Sequence, residues 1–341
     1  MANVIIGIHG LGNKPPKPIL ESWWELAMIE GLKTNNFNPV LPKFELVYWA
    51  DIIYEKPLSE TETDVDSPYL LNEKYTRATM DFPMENHKTR RKIFDFLGQQ
   101  LNRIFLNDDY SLNYSFITDA IVSNYFKDLE IYYAENCTHE NANDCKVKDI
   151  IKKRLLQTLE KYKDDEIMLL SHSMGSIIAF DVLSFMAPHI TVNTFITMGS
   201  PLGLPIVISK IAAEQKRSLK GENHMITPPA VSKNWFNFSD ILDKVAFNYE
   251  LADDFSENSF GVKPLDYLVV NNYEIHGKRN PHKSYGYLRT REFSTTLNEF
   301  ILTEKLTLKQ IIISRTLQLL HYLKMLIFIQ KVKRKTGNSS I

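Results

Sequence analysis

Cysteine is nearly absent from this 341-residue sequence, which has only Cys137 and Cys145. Two cysteines cannot build the dense disulfide framework of a small secreted domain. They bracket a polar stretch that suits a metal or a small disulfide loop in principle; the plainer expectation is two free thiols on a cytosolic loop. Net charge is also missing. Lys and Arg number 40 against 41 Asp and Glu, so no overall field recruits nucleic acid or a membrane surface, and any such binding must be local. No apolar run reaches the roughly 18 residues that a membrane-spanning helix requires. The N-terminus, Met1-Ala2-Asn3 followed by Val4-Ile5-Ile6-Gly7-Ile8, has no basic region and no room for a cleavable signal, so a cytoplasmic protein is expected. No glycine-rich phosphate loop, metal-spaced histidine pair or nucleic-acid stripe is visible, and no cofactor, metal or nucleic-acid partner is expected.

What is present is an ordinary globular composition, 44% hydrophobic and 24% charged, with enough apolar residues for a sizeable core. The length fits one elaborated domain carrying a large insertion. Residues 4–8 read as a strand buried on both faces that ends at His9-Gly10-Leu11-Gly12. After Pro15, Pro16 and Pro18, the spacing of Ile19, Leu20, Trp23, Trp24, Leu26, Ala27 and Ile29 predicts a helix over 19–32. A second strand is expected at 44–49. Strand signals then fade from 51 to 144, where helices around 87–106 and 115–134 predict a helical insertion or cap; its aromatics, among them Tyr69, Phe94 and Phe96, suit an apolar pocket or plain core.

Val147, Ile150, Ile151, Leu155, Leu156 and Leu159 recur at helical intervals opposite a lysine-rich face, the pattern of an amphipathic helix packed on a sheet. Further strands are expected at 167–170, 194–197, 235–238 and 267–270, with a helix from Ile177 between the first two. Strands alternating with helices predict an α/β fold with a mostly parallel central sheet flanked by helices, filling residues 1–300. Residues 301–341 form a separate tail. Its stretch 306–329 is apolar at helical spacing and ends in Lys331-Val332-Lys333-Arg334-Lys335, so it either packs on the domain or makes peripheral membrane contact.

Ser171-His172-Ser173-Met174-Gly175 joins a buried strand directly to an apolar helix, with a hydroxyl at the apex of the turn. Such a turn exposes Ser173 at the end of the sheet and aims the next backbone N–H at the same space. Here the sequence resembles the lipase and esterase branches of the α/β-hydrolase superfamily, whose elbow reads Gly-x-Ser-x-Gly. Ser171 departs from that pattern; Gly175 keeps it. The resemblance implies that Ser173 is a nucleophile and that the oxyanion hole is formed by the N–H groups of Met174 and of Leu11, in the glycine loop after the first strand. His9 is expected to brace that loop rather than act as a base.

A serine of this kind needs an imidazole to take its proton and a carboxylate to orient the imidazole, and in this superfamily both follow the nucleophile in the chain. Asp240 and Asp243 both follow a strand. Asp243 is favoured, because Asp243-Lys244-Val245 resembles the acid loop of many superfamily members, and Leu242-Asp243-Lys244-Val245-Ala246 resembles a stretch of DDHD-type phospholipases. Asp240 is expected to cap the strand end. His282, in the loop opened by Pro281, is favoured over His276 as the base; His172, His189, His224 and His321 are expected to be structural or surface residues. The implied activity is hydrolysis of a small-molecule or lipid ester through an acyl-enzyme at Ser173. An acyltransferase, or an inactive interaction protein on the same fold, are the alternatives.

Overall fold

The computed structural model describes residues 2–79, 142–218, 225–246 and 249–303. The strands are β1 (Asn3–Ile8), β2 (Lys43–Val47), β3 (Glu166–His172), β4 (Val192–Met198), β5 (Met225–Ile226), β6 (Val231–Asp240), β7 (Phe255–Ser256), β8 (Pro264–Val269), β9 (Glu274–Ile275) and β10 (Lys278–Arg279). Six of them form one sheet in the order β2-β1-β3-β4-β6-β8, every neighbouring pair parallel. The expected parallel sheet is therefore present. The helices are α1 (Lys17–Thr34), α2 (Ala50–Ile53), α3 (Ala142–Lys161), α4 (Met174–Asp181), α5 (Pro205–Ser218), α6 (Ser284–Tyr287) and α7 (Arg291–Thr303), with a π-helical turn at Val182–Met186 extending α4.

Val4-Ile5-Ile6 of β1 and Ile167-Met168-Leu169-Leu170 of β3 are apolar without a break because both faces of the sheet are covered there, whereas the edge strand β8 leaves Leu265 and Tyr267 exposed. Side chains alternate in direction, so Val4, Ile6, Ile8, Ile167 and Leu169 meet Ile151, Leu155 and Leu159 of α3 and the apolar face of α4 in one core. Ile5, Met168, Leu170, Ile196 and Phe238 meet Leu20, Trp24, Ala27 and Met28 of α1, with Phe293 and Leu297 of α7, in the other.

The chain leaves β1 for β2 on one side and returns to β3 on the other. The carboxyl ends of β1 and β3 thus flank the point where the winding reverses, where open α/β sheets characteristically present a binding crevice. The loop His9-Gly10-Leu11-Gly12 follows β1 and Ser173 follows β3, so both lie at that point.

Several expectations need correcting. The polar stretch expected as a cysteine loop is helical from Ala142, so the backbone of Cys145 belongs to α3; Cys137 lies outside the described residues. The strand expected at 235–238 runs over Val231–Asp240, which makes Asp240 its last residue rather than part of the following loop. The helix α5 and the hairpin β9–β10 were not anticipated. Of the insertion, residues 54–79 are irregular, joined by one bridge between Ser59 and Leu70, and Tyr69 lies beside the Lys56 ammonium. The helices expected at 87–106 and 115–134, Phe94, Phe96 and the tail from 304 lie outside the described residues. Among the described residues no helix is long and apolar enough to cross a membrane.

Candidate active site

Ser173 sits between the last residue of β3 and the first of α4, with φ 53° and ψ −129°. A non-glycine residue at positive φ costs about 1–3 kcal/mol and persists only where its surroundings enforce it. Here they do so through hydrogen bonds on both sides of the turn. Ser173 N–H donates to Met198 O at 3.0 Å. Its carbonyl accepts Ser176 N–H at 2.9 Å and Ser176 Oγ at 2.6 Å, while Ser176 Oγ also lies 2.7 Å from Ser200 Oγ. Ser171, which stands where the Gly-x-Ser-x-Gly pattern has its first glycine, donates its Oγ to Ile196 O at 2.8 Å, so its hydroxyl is turned into the sheet and away from the turn.

Two glycine positions, Gly175 and Gly10, are set by crowding against neighbouring atoms. A Cβ on Gly175 would lie 2.7 Å from Ile8 O and 2.8 Å from His9 O, and one on Gly10 would lie 2.6 Å from Ser173 Cβ. Main-chain oxygens at the end of a central strand cannot swing away as a side chain can. Gly175→Ala is accordingly expected to cost about 1–3 kcal/mol, seen as a lower midpoint in urea unfolding.

The loop after β1 is held from below by His9. Its Nε2 accepts Trp49 N–H at 3.0 Å, which leaves the proton on Nδ1 to donate to Gly10 O at 2.8 Å. Trp49 Nε1–H returns to His9 O at 2.8 Å, and the two rings stack at 4.8 Å. Burial drives the His9 pKa well below the usual histidine value, with Lys14 adding to the effect. His9 is therefore a neutral brace. Lys14 Nζ donates to Leu11 O and Gly12 O, tying the loop from outside. Leu11 N–H makes no hydrogen bond among the described residues, and Met174 N–H, at the first residue of α4, has no intrahelical acceptor. Both donors that the sequence singled out are thus available to a ligand.

The structure brings Asp243 and His282 together. Nδ1 of His282 lies 3.0 and 2.8 Å from the two carboxylate oxygens of Asp243. Asp243 is 2% exposed and also accepts Val245 N–H on Oδ1 at 2.8 Å. Asp240, three residues earlier, is committed elsewhere: Leu242 N–H reaches Oδ1 at 2.7 Å, while Asn271 N–H and Arg279 reach Oδ2 at 2.7 and 2.6 Å. Burial raises the Asp240 pKa, and those donors and the Arg279 charge oppose the rise. It ties the end of β6 to the segment before β9. His276 is removed from the site as well. It and Gly277, with φ of 51° and 73°, form the two-residue turn between β9 and β10, where its ring is exposed. His189 pairs with Glu160 at the surface, and His224 and His321 lie outside the described residues.

Three further residues complete the setting. His172 is buried, its Nε2–H donates to His282 O at 2.6 Å, and its ring lies 4.8 Å from that of His282. Burial holds its pKa well below the usual histidine value, with the nearby His282 acting in the same direction. Gly199, at φ 53°, lets the strand end pass close beneath the pair, since a Cβ there would lie 2.6 Å from Asp243 Oδ2 and 3.1 Å from His282 Nδ1. Tyr287, fully buried on α6, donates to Asp243 Oδ2 at 2.7 Å. None of these three was read as a site residue from sequence, because each acts through packing between distant segments. The described end of the insertion braces both loops: Leu58 N–H donates to Lys14 O, and Glu73 accepts Asn280 Nδ2–H and Lys283 Nζ at 2.6 and 2.7 Å.

Ser173 Oγ makes no hydrogen bond among the described residues. No hydrogen bond joins its hydroxyl to His282 Nε2 among the described residues; in enzyme active sites such bonds often tighten only when substrate binds. Among the described residues no group of His, Cys, Asp or Glu is placed to hold a metal ion. No protein-family model matches the chain, and no curated protein matches it.

Proposed function

We propose that this chain is a serine hydrolase of the α/β-hydrolase kind that cleaves a carboxylic or lipid ester through an acyl-enzyme at Ser173. One observation carries the reading: a strained serine turn at the reversal point of a parallel sheet shares that sheet edge with a histidine bonded to a buried carboxylate. Neutral serine is a poor nucleophile until a base takes its proton. In the proposed reaction His282 Nε2 removes the Ser173 hydroxyl proton as Oγ bonds to the ester carbonyl carbon. The carbonyl oxygen takes the negative charge, which the N–H groups of Leu11 and Met174 are suited to stabilise. Collapse breaks the bond to the alkoxide, which leaves with the proton from His282. Water then repeats the sequence on the acyl-enzyme and releases the acid, and Asp243 supports the charged imidazole in both halves.

A graded series of p-nitrophenyl esters tests this directly. Rapid mixing is expected to release an initial burst of one p-nitrophenol per chain, followed by slower turnover. A folded protein that cleaves no ester of any chain length overturns the reading.

A further inference from the structure

We infer that Tyr287 is a positioning residue for the acid–base pair, its phenol holding the Asp243 carboxylate against His282 as the last link of a polar chain that begins at Arg279. The inference rests on the hydrolase reading for its kinetic consequence but on the hydrogen-bond geometry for its substance. Arg279 donates to Asp240 Oδ2 at 2.6 Å. Asp240 N–H donates to Tyr287 OH at 3.0 Å, and Tyr287 OH lies 2.7 Å from Asp243 Oδ2. A phenol has a single proton. Because Asp240 N–H occupies a lone pair of the Tyr287 oxygen, that proton is directed to Asp243.

Burial, reinforced by the Asp243 and Asp240 carboxylates, raises the Tyr287 pKa well above the usual tyrosine value, so it remains a neutral donor at any working pH. The oxygen it holds, Oδ2, is also the nearer of the two to His282 Nδ1, at 2.8 Å. Tyr287 thus has two effects on one atom. It prevents the carboxylate from rotating about its bond to Cβ, and it draws negative charge away from the oxygen that faces the imidazole. Without it, Oδ2 would be a stronger acceptor for Nδ1–H, and the charged imidazole would be favoured. The other titratable groups around His282 are His172 at the end of β3 and the Lys283–Glu73 pair beside it. Asp243 itself faces Asp240, which is paired with Arg279. Tyr287→Phe leaves these charges in place and removes, besides the bond to Asp243, only the acceptor of Asp240 N–H.

The test is Tyr287→Phe, read by proton NMR of His282 Nδ1–H and by the pH dependence of kcat/KM. The Nδ1–H resonance is expected to move downfield, and the acid limb of the profile to move up by about half a pH unit or more. A second variant carries 3,5-difluorotyrosine at position 287, a more acidic phenol and so a stronger donor, and should move both readouts the other way. It also serves if Tyr287→Phe does not fold. A purely structural role lowers the melting temperature or kcat and leaves resonance and limb in place; that result, or shifts of the same sign in both variants, overturns the inference. The resonance is read with or without turnover. A wild-type protein that cleaves no ester therefore counts against the hydrolase reading, while the NMR shifts still decide the inference.

Discussion

Ser173→Ala is expected to lower kcat toward every cleaved ester by at least about 10³-fold and by as much as about 10⁶-fold, because the proposed chemistry then loses its nucleophile and keeps only the proposed oxyanion donors and substrate binding. Steady-state hydrolysis with a purified, folded variant measures this. The same position carries a second expectation of opposite sign. Ser173 is held at φ 53°, a conformation that glycine adopts without penalty. Ser173→Gly should therefore be as inactive as the alanine variant, yet more stable than the wild type by about 1 kcal/mol. Alanine gains nothing there, since its Cβ keeps the strain. An inactive protein with a raised unfolding midpoint would show that the turn stores strain for the sake of the hydroxyl it presents.

The second large effect separates the two aspartates. Asp243→Asn is expected to lower kcat by about 10³- to 10⁴-fold, because an amide neither fixes the imidazole tautomer nor supports its charge. Its side chain stays close in shape, so unfolding by urea should change little more than loss of one buried hydrogen bond requires. Asp240→Asn should do the reverse. It breaks the ion pair with Arg279, a side chain 22% exposed, and weakens the acceptor for Asn271 N–H. A stability loss of about 1–3 kcal/mol follows, with activity of the folded fraction falling far less than in Asp243→Asn. Equal kinetic losses in the two variants would contradict the division of roles.

These contrasts mark how far the sequence could be read. The central strands were legible because a sheet covered on both faces makes unbroken apolar runs, as in Val4-Ile5-Ile6 and Met168-Leu169-Leu170. The serine turn was legible because strand, hydroxyl and helix follow one another without a gap. The aspartates were harder, since both stand near one strand end and only the length of β6 separates them. His276 carried a signal that went unread: His276-Gly277 between two short polar strands is a two-residue hairpin, which points the ring outward. The helix α5 was hidden by the β-branched Ile206-Val207-Ile208 in its first turn, which favours a strand until packing decides otherwise. His172, Gly199 and Tyr287 left no local signature, because their partners lie 44 or more residues away in the chain or, for Gly199, in the space a side chain would fill.

The braces on the two loops connect the site to the insertion. Glu73 grips Asn280 and Lys283 on either side of His282, and Arg289, 5% exposed, reaches Thr76 O at 2.6 Å. The loop that carries His282 is thus clamped by a segment more than 200 residues earlier in the chain. A fixed imidazole costs no reorganisation when charge develops, which is the physical advantage of such support.

The most direct measurement is covalent labelling of the full chain with a fluorophosphonate, followed by peptide mass spectrometry. The proposed chemistry predicts one phosphonyl group per chain, on the peptide containing Ser173, with labelling lost in Ser173→Ala and slowed in Asp243→Asn. A folded protein that takes up no label, or takes it up at Ser176 or Ser200 with Ser173 unmodified, would contradict it.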